Sequence, residues 1–187
     1  MPTNARPLRR DAQRNRDLLV AAARDVFGAK GLDAPLEEIA RRAGVAIGTL
    51  YNRFPTRAAL IDAAFAGQID AWAEIGEQAL RADDPWHGFA GFAMRLCETQ
   101  SVDRGLTEVC AGPVPDAPAI AAAQARTWQA ITKLVERAHE SGQLRADVEP
   151  GDLPLAIAAA ARVAEIAPGP DAWRRHLGYV LDGFRAQ

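Results

Sequence analysis

Apolar residues recur along most of this chain at spacings of three and four, the repeat of an amphipathic helix, and no segment shows the strict alternation of a half-buried strand. The pattern is sharpest over residues 36–54. Leu36, Ile39, Ala40 and Ala43 share one face of a short helix, with Glu37, Glu38, Arg41 and Arg42 outside. Gly44 follows at once, where it tolerates the left-handed backbone of a tight helix-to-helix turn, and Val45 packs back underneath. A second short helix starts near Ala46. Its Ile47, Leu50 and Phe54 are expected to face inward, while Gly48, Thr49, Asn52 and Arg53 point away. Pro55 biases Phe54 out of the helical region, so this helix lasts only about two turns.

The neighbouring segments supply a core for the pair. Upstream, Leu18, Leu19, Ala22, Ala23, Val26 and Phe27 form a helical stripe that ends at Lys30 and Gly31. Downstream, Thr56 caps a long helix whose stripe runs through Leu60, Ile61, Ala64, Phe65, Ile69 and Trp72 to about residue 82. Such a helix of about 27 residues spans roughly 40 Å, enough to leave one domain and enter another. Asp84 and Pro85 open a helix carrying Trp86, Phe89, Phe92, Ala93, Leu96 and Cys97, and a shorter helix follows from Asp103. A proline-rich loop over residues 111–118 precedes a long helix with Ile120, Trp128, Ile131, Leu134, Val135 and Ala138 inside and Gly142 as its stop. Two last helices, about 152–166 and 170–185, flank Pro168 and Pro170. The expected fold is all-α, about nine helices, with no internal repeat.

Two short helices hinged at a glycine, the second with a polar outer face, describe a helix-turn-helix over about residues 35–54; a simple helical hairpin is the plainer alternative. Around it, the chain resembles the DNA-binding domain of TetR-type transcriptional regulators. The resemblance is carried by Phe27, Gly31, Ile39, Ala40, Ala43, Gly44, Val45, Gly48, Thr49, Leu50, Tyr51, Phe54 and Leu60, with Arg57 where lysine is usual. It covers the first third of the chain and implies a homodimeric repressor whose C-terminal helical domain binds a small effector. The corresponding division is a flexible basic arm over 1–10, a DNA-binding domain over 11–55 and a helical effector-binding and dimerisation domain over 56–187. One departure stands out. Many members begin the second helix with Thr-Thr or Ser-Val, whose hydroxyl touches phosphate, whereas this chain has Ala34-Pro35-Leu36.

Charge agrees with this division. Residues 1–62 carry 11 Lys and Arg against 7 Asp and Glu, although the whole chain is at -2. A basic end on a mildly acidic protein suits phosphate, and solvated surface charge produces the same imbalance. On the second helix of the motif, Arg53 is placed to fork onto guanine, Asn52 to pair with adenine and Thr49 to touch a thymine methyl, while Gly48 lets the backbones approach. Tyr51 reads as a phosphate contact through its hydroxyl or as a core tyrosine. Arg57 reads as a phosphate contact at a helix N-terminus. Arg9, Arg10, Arg14 and Arg16 form either an arm on the DNA or a basic tail without a role.

In the C-terminal two-thirds, an effector cavity is expected among the fourth to eighth helices. Its candidate lining is drawn from Trp72, Trp86, Phe89, Phe92, Met94, Cys97, Val109, Trp128 and Ile131, residue types that more often form plain core. The two last helices are apolar enough to form a four-helix dimer interface through Ala158, Ala161, Trp173, Leu177 and Leu181, or an ordinary monomeric core.

Catalytic chemistry finds little support. Glu136 and His139 have the spacing of a di-metal bundle ligand pair, but such a site needs a second copy, and none exists. His87, His139 and His176 are far apart, so no catalytic residue, metal or cofactor is assigned. Cys97 and Cys110 are too few for a disulfide framework and read as reduced thiols or a redox switch. With no stretch of about 18 apolar residues, a cytoplasmic protein without membrane contact is expected. The function read from the chain is a sequence-specific regulator, a repressor released from a palindromic operator in double-stranded DNA by a small molecule. A dimeric regulator without ligand control and a helical enzyme are the alternatives.

Overall fold

A computed structural model describes residues 5–167, 169 and 171–186, the side chains of 5–10 excepted, and among these residues the regular elements are nine helices. A first group comprises α1 (Ala5–Lys30), α2 (Leu36–Arg42) and α3 (Ile47–Arg53). The chain continues through α4 (Arg57–Ala79), α5 (Pro85–Gln100), α6 (Arg104–Ala111), α7 (Pro118–Glu140), α8 (Asp152–Ile166) and α9 (Ala172–Phe184). An isolated antiparallel bridge pairs Leu144 with Arg185.

The backbone is helical from Ala5, where an arm through residue 10 is expected. Pro7 lies in the first turn, where no helical hydrogen bond is lost, and residues 8–17 hold neither glycine nor a β-branched side chain. Residues 1–4 and the side chains of Arg9 and Arg10 lie outside the described residues. Leu19, Ala22, Ala23, Val26 and Phe27 are buried as the stripe predicts, but Leu18 is exposed. These side chains meet Leu36, Ile39, Ala40, Leu50, Phe54, Leu60 and Phe65 in a core shared by α1 to α4.

The pair α4 and α7 is the most extensive helix packing in the molecule, and it is tied at both ends. The Asp62 carboxylate accepts from Ile120 N at 2.7 Å and so caps α7. At the other end Arg137 donates to the carbonyls of Leu80 (3.0 Å) and Ala82 (2.5 Å), the turn into which α4 dissolves after Ala79. Thr56 caps α4 through Ala59 N and Asp84 caps α5 through Trp86 N, as their sequence positions predict.

α6 lies against α1 rather than only among the C-terminal helices. Gly105 makes this possible. A Cβ there would stand 2.8 Å from Phe27 O and 2.7 Å from the Phe65 ring, so only glycine lets the helices approach this closely.

Candidate nucleic-acid interface and effector cavity

α3 is held by few contacts, and its outer face is free. Leu50 is fully buried and Phe54 nearly so, whereas Gly48, Tyr51, Asn52 and Arg53 are exposed and Thr49 is half-buried. At about 100° per residue, Gly48 and Asn52 stand opposite Leu50, Tyr51 lies to one side, and Thr49 and Arg53 lie to the other. Ile47, expected inward, is 36% exposed and joins the Tyr51 side. Tyr51 is 48% exposed, which removes it from the core. The turn before α3 is closed by Gly44 at φ +69°, and Val45 N donates to Ala40 O.

Several cations of the first group are committed inside it. Arg42 pairs with Asp25 and Lys30 with Glu38, which lock α2 onto α1. The Lys30 ammonium holds the Glu38 carboxyl below its ordinary range. Arg16 lies over the Phe54 ring at 5.4 Å. Among the described residues, Arg14, Arg41 and Arg53 make no ion pair or side-chain hydrogen bond.

Arg57 is placed differently from the expectation. Its Nη1 donates to Leu32 O at 2.8 Å and Ala34 O at 2.6 Å, and its guanidinium stands 6.0 Å from the Phe27 ring centre. The carbonyls of the α1–α2 turn have no helical donor of their own, and this cation satisfies two of them. Through Nη1, Arg57 acts as a clasp on this turn. The same turn is held from the C-terminal side. Leu32 N donates to the Glu108 carboxylate on α6 at 2.7 Å, and Glu108 pairs with Arg104 at 2.9 Å. One turn is therefore gripped by α4 and by α6.

A half-open cavity of about 160 Å³ lies among α4 to α8. It is lined by Ile69, Trp72, Leu96, Gln100, Cys110, Gln124, Thr127, Trp128, Ile131, Pro154, Ile157 and Ala158. Of the expected lining, Trp72, Trp128 and Ile131 are present. Phe89, Phe92, Cys97 and Val109 are instead buried core, because several helices of this bundle have apolar stripes wider than any one cavity needs. Trp86 packs on Phe89 with the Arg185 guanidinium over it, and Met94 is likewise outside the lining. Gln100 and Thr127 were missed, yet each leaves a signal. Gln100 continues the apolar spacing Phe89, Ala93, Leu96 as a polar residue, and Thr127 interrupts Ile120, Ala123, Ile131 in the same way.

The expected dimer residues lie within the chain itself. Ala161, Trp173, Leu177 and Leu181 are buried between α8, α9 and their neighbours, and Ala158 faces the cavity. The outer face of α8 consists of Leu155, Ala159, Arg162 and Ile166; Leu155, Ile166 and, on α9, Tyr179 are at least 70% exposed. α8 is apolar nearly all round, so its period does not say which side the chain covers.

Burial pushes both thiols up to about 12, so Cys97 and Cys110 stay protonated at neutral pH, which leaves a redox switch without its thiolate. His139 Nε2 sits 2.9 Å from Arg145 O at the end of α7, and among the described residues no three His, Cys, Asp or Glu side chains converge on a metal position. No helix of the described residues is long and apolar enough to cross a membrane.

Comparison with known proteins matches two segments of the chain. Residues 19–64 match the model of bacterial regulatory proteins of the tetR family. Residues 84–186 match that of the C-terminal domain of SbtR-like transcriptional regulators. The chain is similar to the crystal structure of a TetR transcription regulatory protein from Mycobacterium vanbaalenii, at 30% identity and TM-score 0.59 over 96% of this chain and 100% of that one. It is also similar to the TetR transcriptional regulator SCO0520 from Streptomyces coelicolor, at 31% identity and TM-score 0.61 over 92% and 99% of the two chains. A TetR family regulator from Agrobacterium tumefaciens, 17% identical, shares the fold at TM-score 0.71 over 94% and 100%. No curated protein sequence matches significantly.

Proposed function

The chain belongs to the TetR family of transcriptional regulators, and from that premise we propose that it is a homodimeric repressor whose α3 reads a palindromic operator until a small molecule enters the cavity. The observation that carries ligand control is the position of α6. This helix contributes Cys110 to the cavity wall and, two residues earlier, Glu108 to the turn that carries α2. α4 makes a parallel connection, with Arg57 on that turn and Ile69 and Trp72 in the wall. A molecule wedged between these walls shifts α4 and α6 together and changes the separation of the two α3 helices in the dimer. Both half-sites must fit at once, so a modest shift releases DNA with a coupling of about 1–3 kcal/mol.

Sequence is read by Thr49, Asn52 and Arg53, with Gly48 letting the backbones approach and the Tyr51 hydroxyl on phosphate. The second subunit docks on the outer face of α8 and α9. Mapping of the genomic sites bound by the protein tests the reading. The expected result is a palindrome with half-sites about 34 Å apart; occupancy without sequence preference would overturn it. Glu108→Ala is expected to keep operator binding within a few-fold and to lose most of the coupling between ligand and DNA. Unchanged coupling in that variant would remove α6 from the path.

A further inference from the structure

The cavity has a chemistry more specific than its position. Ile69, Leu96, Ile131 and Ile157 and the two indoles of Trp72 and Trp128 give it apolar walls, and its volume of about 160 Å³ is that of a single six-membered ring with a small substituent. An engineered apolar cavity of about 150 Å³ stays dry and takes up benzene. Among the described residues, no Asp, Glu, Lys, Arg or His lines it. A charged ligand would therefore leave water with no partner charge, at a large cost.

Several polar groups of the wall already have partners. Trp72 Nε1 donates to Thr99 Oγ1 at 3.2 Å, and the Thr127 hydroxyl is occupied by Ile69 O and Ala123 O. Gln124 Nε2 reaches Val109 O at 3.5 Å. Gln100 differs from the rest of the lining in being only 6% exposed with an amide oxygen that is buried and has no hydrogen-bond partner. A buried unpaired amide oxygen is costly, and a group that donates to it recovers that cost. A hydroxyl does so in either orientation of the amide, because it both donates and accepts.

We infer that the cavity takes a small uncharged ring compound carrying a hydroxyl group, with the Gln100 amide as its polar anchor and Trp72 and Trp128 against the ring. The inference rests on the reading of this cavity as the effector site. Cys110, Gln124, Trp128, Pro154 and Ala158 keep solvent contact, so entry lies between α7 and α8 beside α6.

Calorimetry on the intact protein with phenol, toluene and benzoate tests the chemistry without any DNA. Phenol is expected to bind about tenfold more tightly than toluene, and benzoate more weakly than either. Gln100→Leu should erase the preference for phenol while toluene binds at least as well. Should that variant unfold, Ala158→Phe, which fills the half-exposed rim, should abolish binding of both neutral probes with the fold intact. Toluene equal to phenol, benzoate the tightest of the three, or no binding of any probe overturns the inference. Preference for phenol through Gln100 without any effect on operator affinity leaves the ligand chemistry standing and removes ligand control instead.

Discussion

α3 and α8 both present a face that their own chain does not cover, and the two faces are opposites. α3 turns out Gly48, Tyr51, Asn52 and Arg53, polar or absent side chains around a backbone that can be approached closely. α8 turns out Leu155, Ala159 and Ile166, apolar side chains that gain by losing water, around a single cation, Arg162. An exposed polar face on a two-turn helix suits a hydrated, charged partner with hydrogen-bonding edges. An exposed apolar face on a four-turn helix suits a protein surface, and a second copy of the same face satisfies it by symmetry.

The largest effect should come from reversing the character of the α8 face. Leu155→Glu together with Ile166→Glu places two carboxylates per subunit, against the single Arg162, at the proposed two-fold contact, at a cost of several kcal/mol. Both positions are exposed in the single chain, so folding should be preserved and sedimentation should show monomers that hold DNA weakly. An intact dimer would move the interface elsewhere.

Arg57→Ala addresses a cation that lies on neither face. Loss of its bonds to Leu32 O and Ala34 O should lower unfolding stability by about 2–3 kcal/mol, while the salt dependence of DNA binding per phosphate stays the same. A slope reduced by about one would give Arg57 a phosphate contact besides the clasp. Arg53→Ala should do the reverse, leaving stability alone and weakening the preferred site by about 1–3 kcal/mol. Equal losses on preferred and random DNA would reassign Arg53 to phosphate, a role its position on the flank of α3 also permits. The smallest change, Thr56→Ala, removes the cap of α4 at about 1 kcal/mol and should alter neither the dimer nor base preference; thermal unfolding at matched protein concentration measures it.

The contrast also separates what was legible beforehand. Helix limits set by local chemistry were readable because each depends on a residue and its immediate neighbours: Gly44 at the turn, Pro55 after α3, Asp84 with Pro85 at α5 and Gly142 after α7. The face of α3 was readable because its inward side chains are few and its outer ones polar, although Ile47 went the other way. The faces of α8 and α9 were not. α8 is apolar nearly all round and has little period to announce which neighbours it will meet, and the apolar stripe of α9 does not say whether its own chain or a partner covers it, so Ala161, Trp173, Leu177 and Leu181 suited a partner in sequence and belong to the chain's own core in the structure. The cavity was obscured for a related reason, since lining and core are built from the same residue types.

From sequence alone came the all-α architecture, the helix-turn-helix and the polar probe on α3, because helix periodicity, caps and turn glycines act over a few residues. Tertiary structure alone decided that Arg57 clasps the α1–α2 turn, that Glu108 reaches Leu32 across 76 positions of chain, and that Gln100 is buried with an unpaired oxygen. Those outcomes depend on which helices pass within a few ångströms of one another, and hydrogen-bond and close-packing distances between remote segments are set only when the whole core assembles.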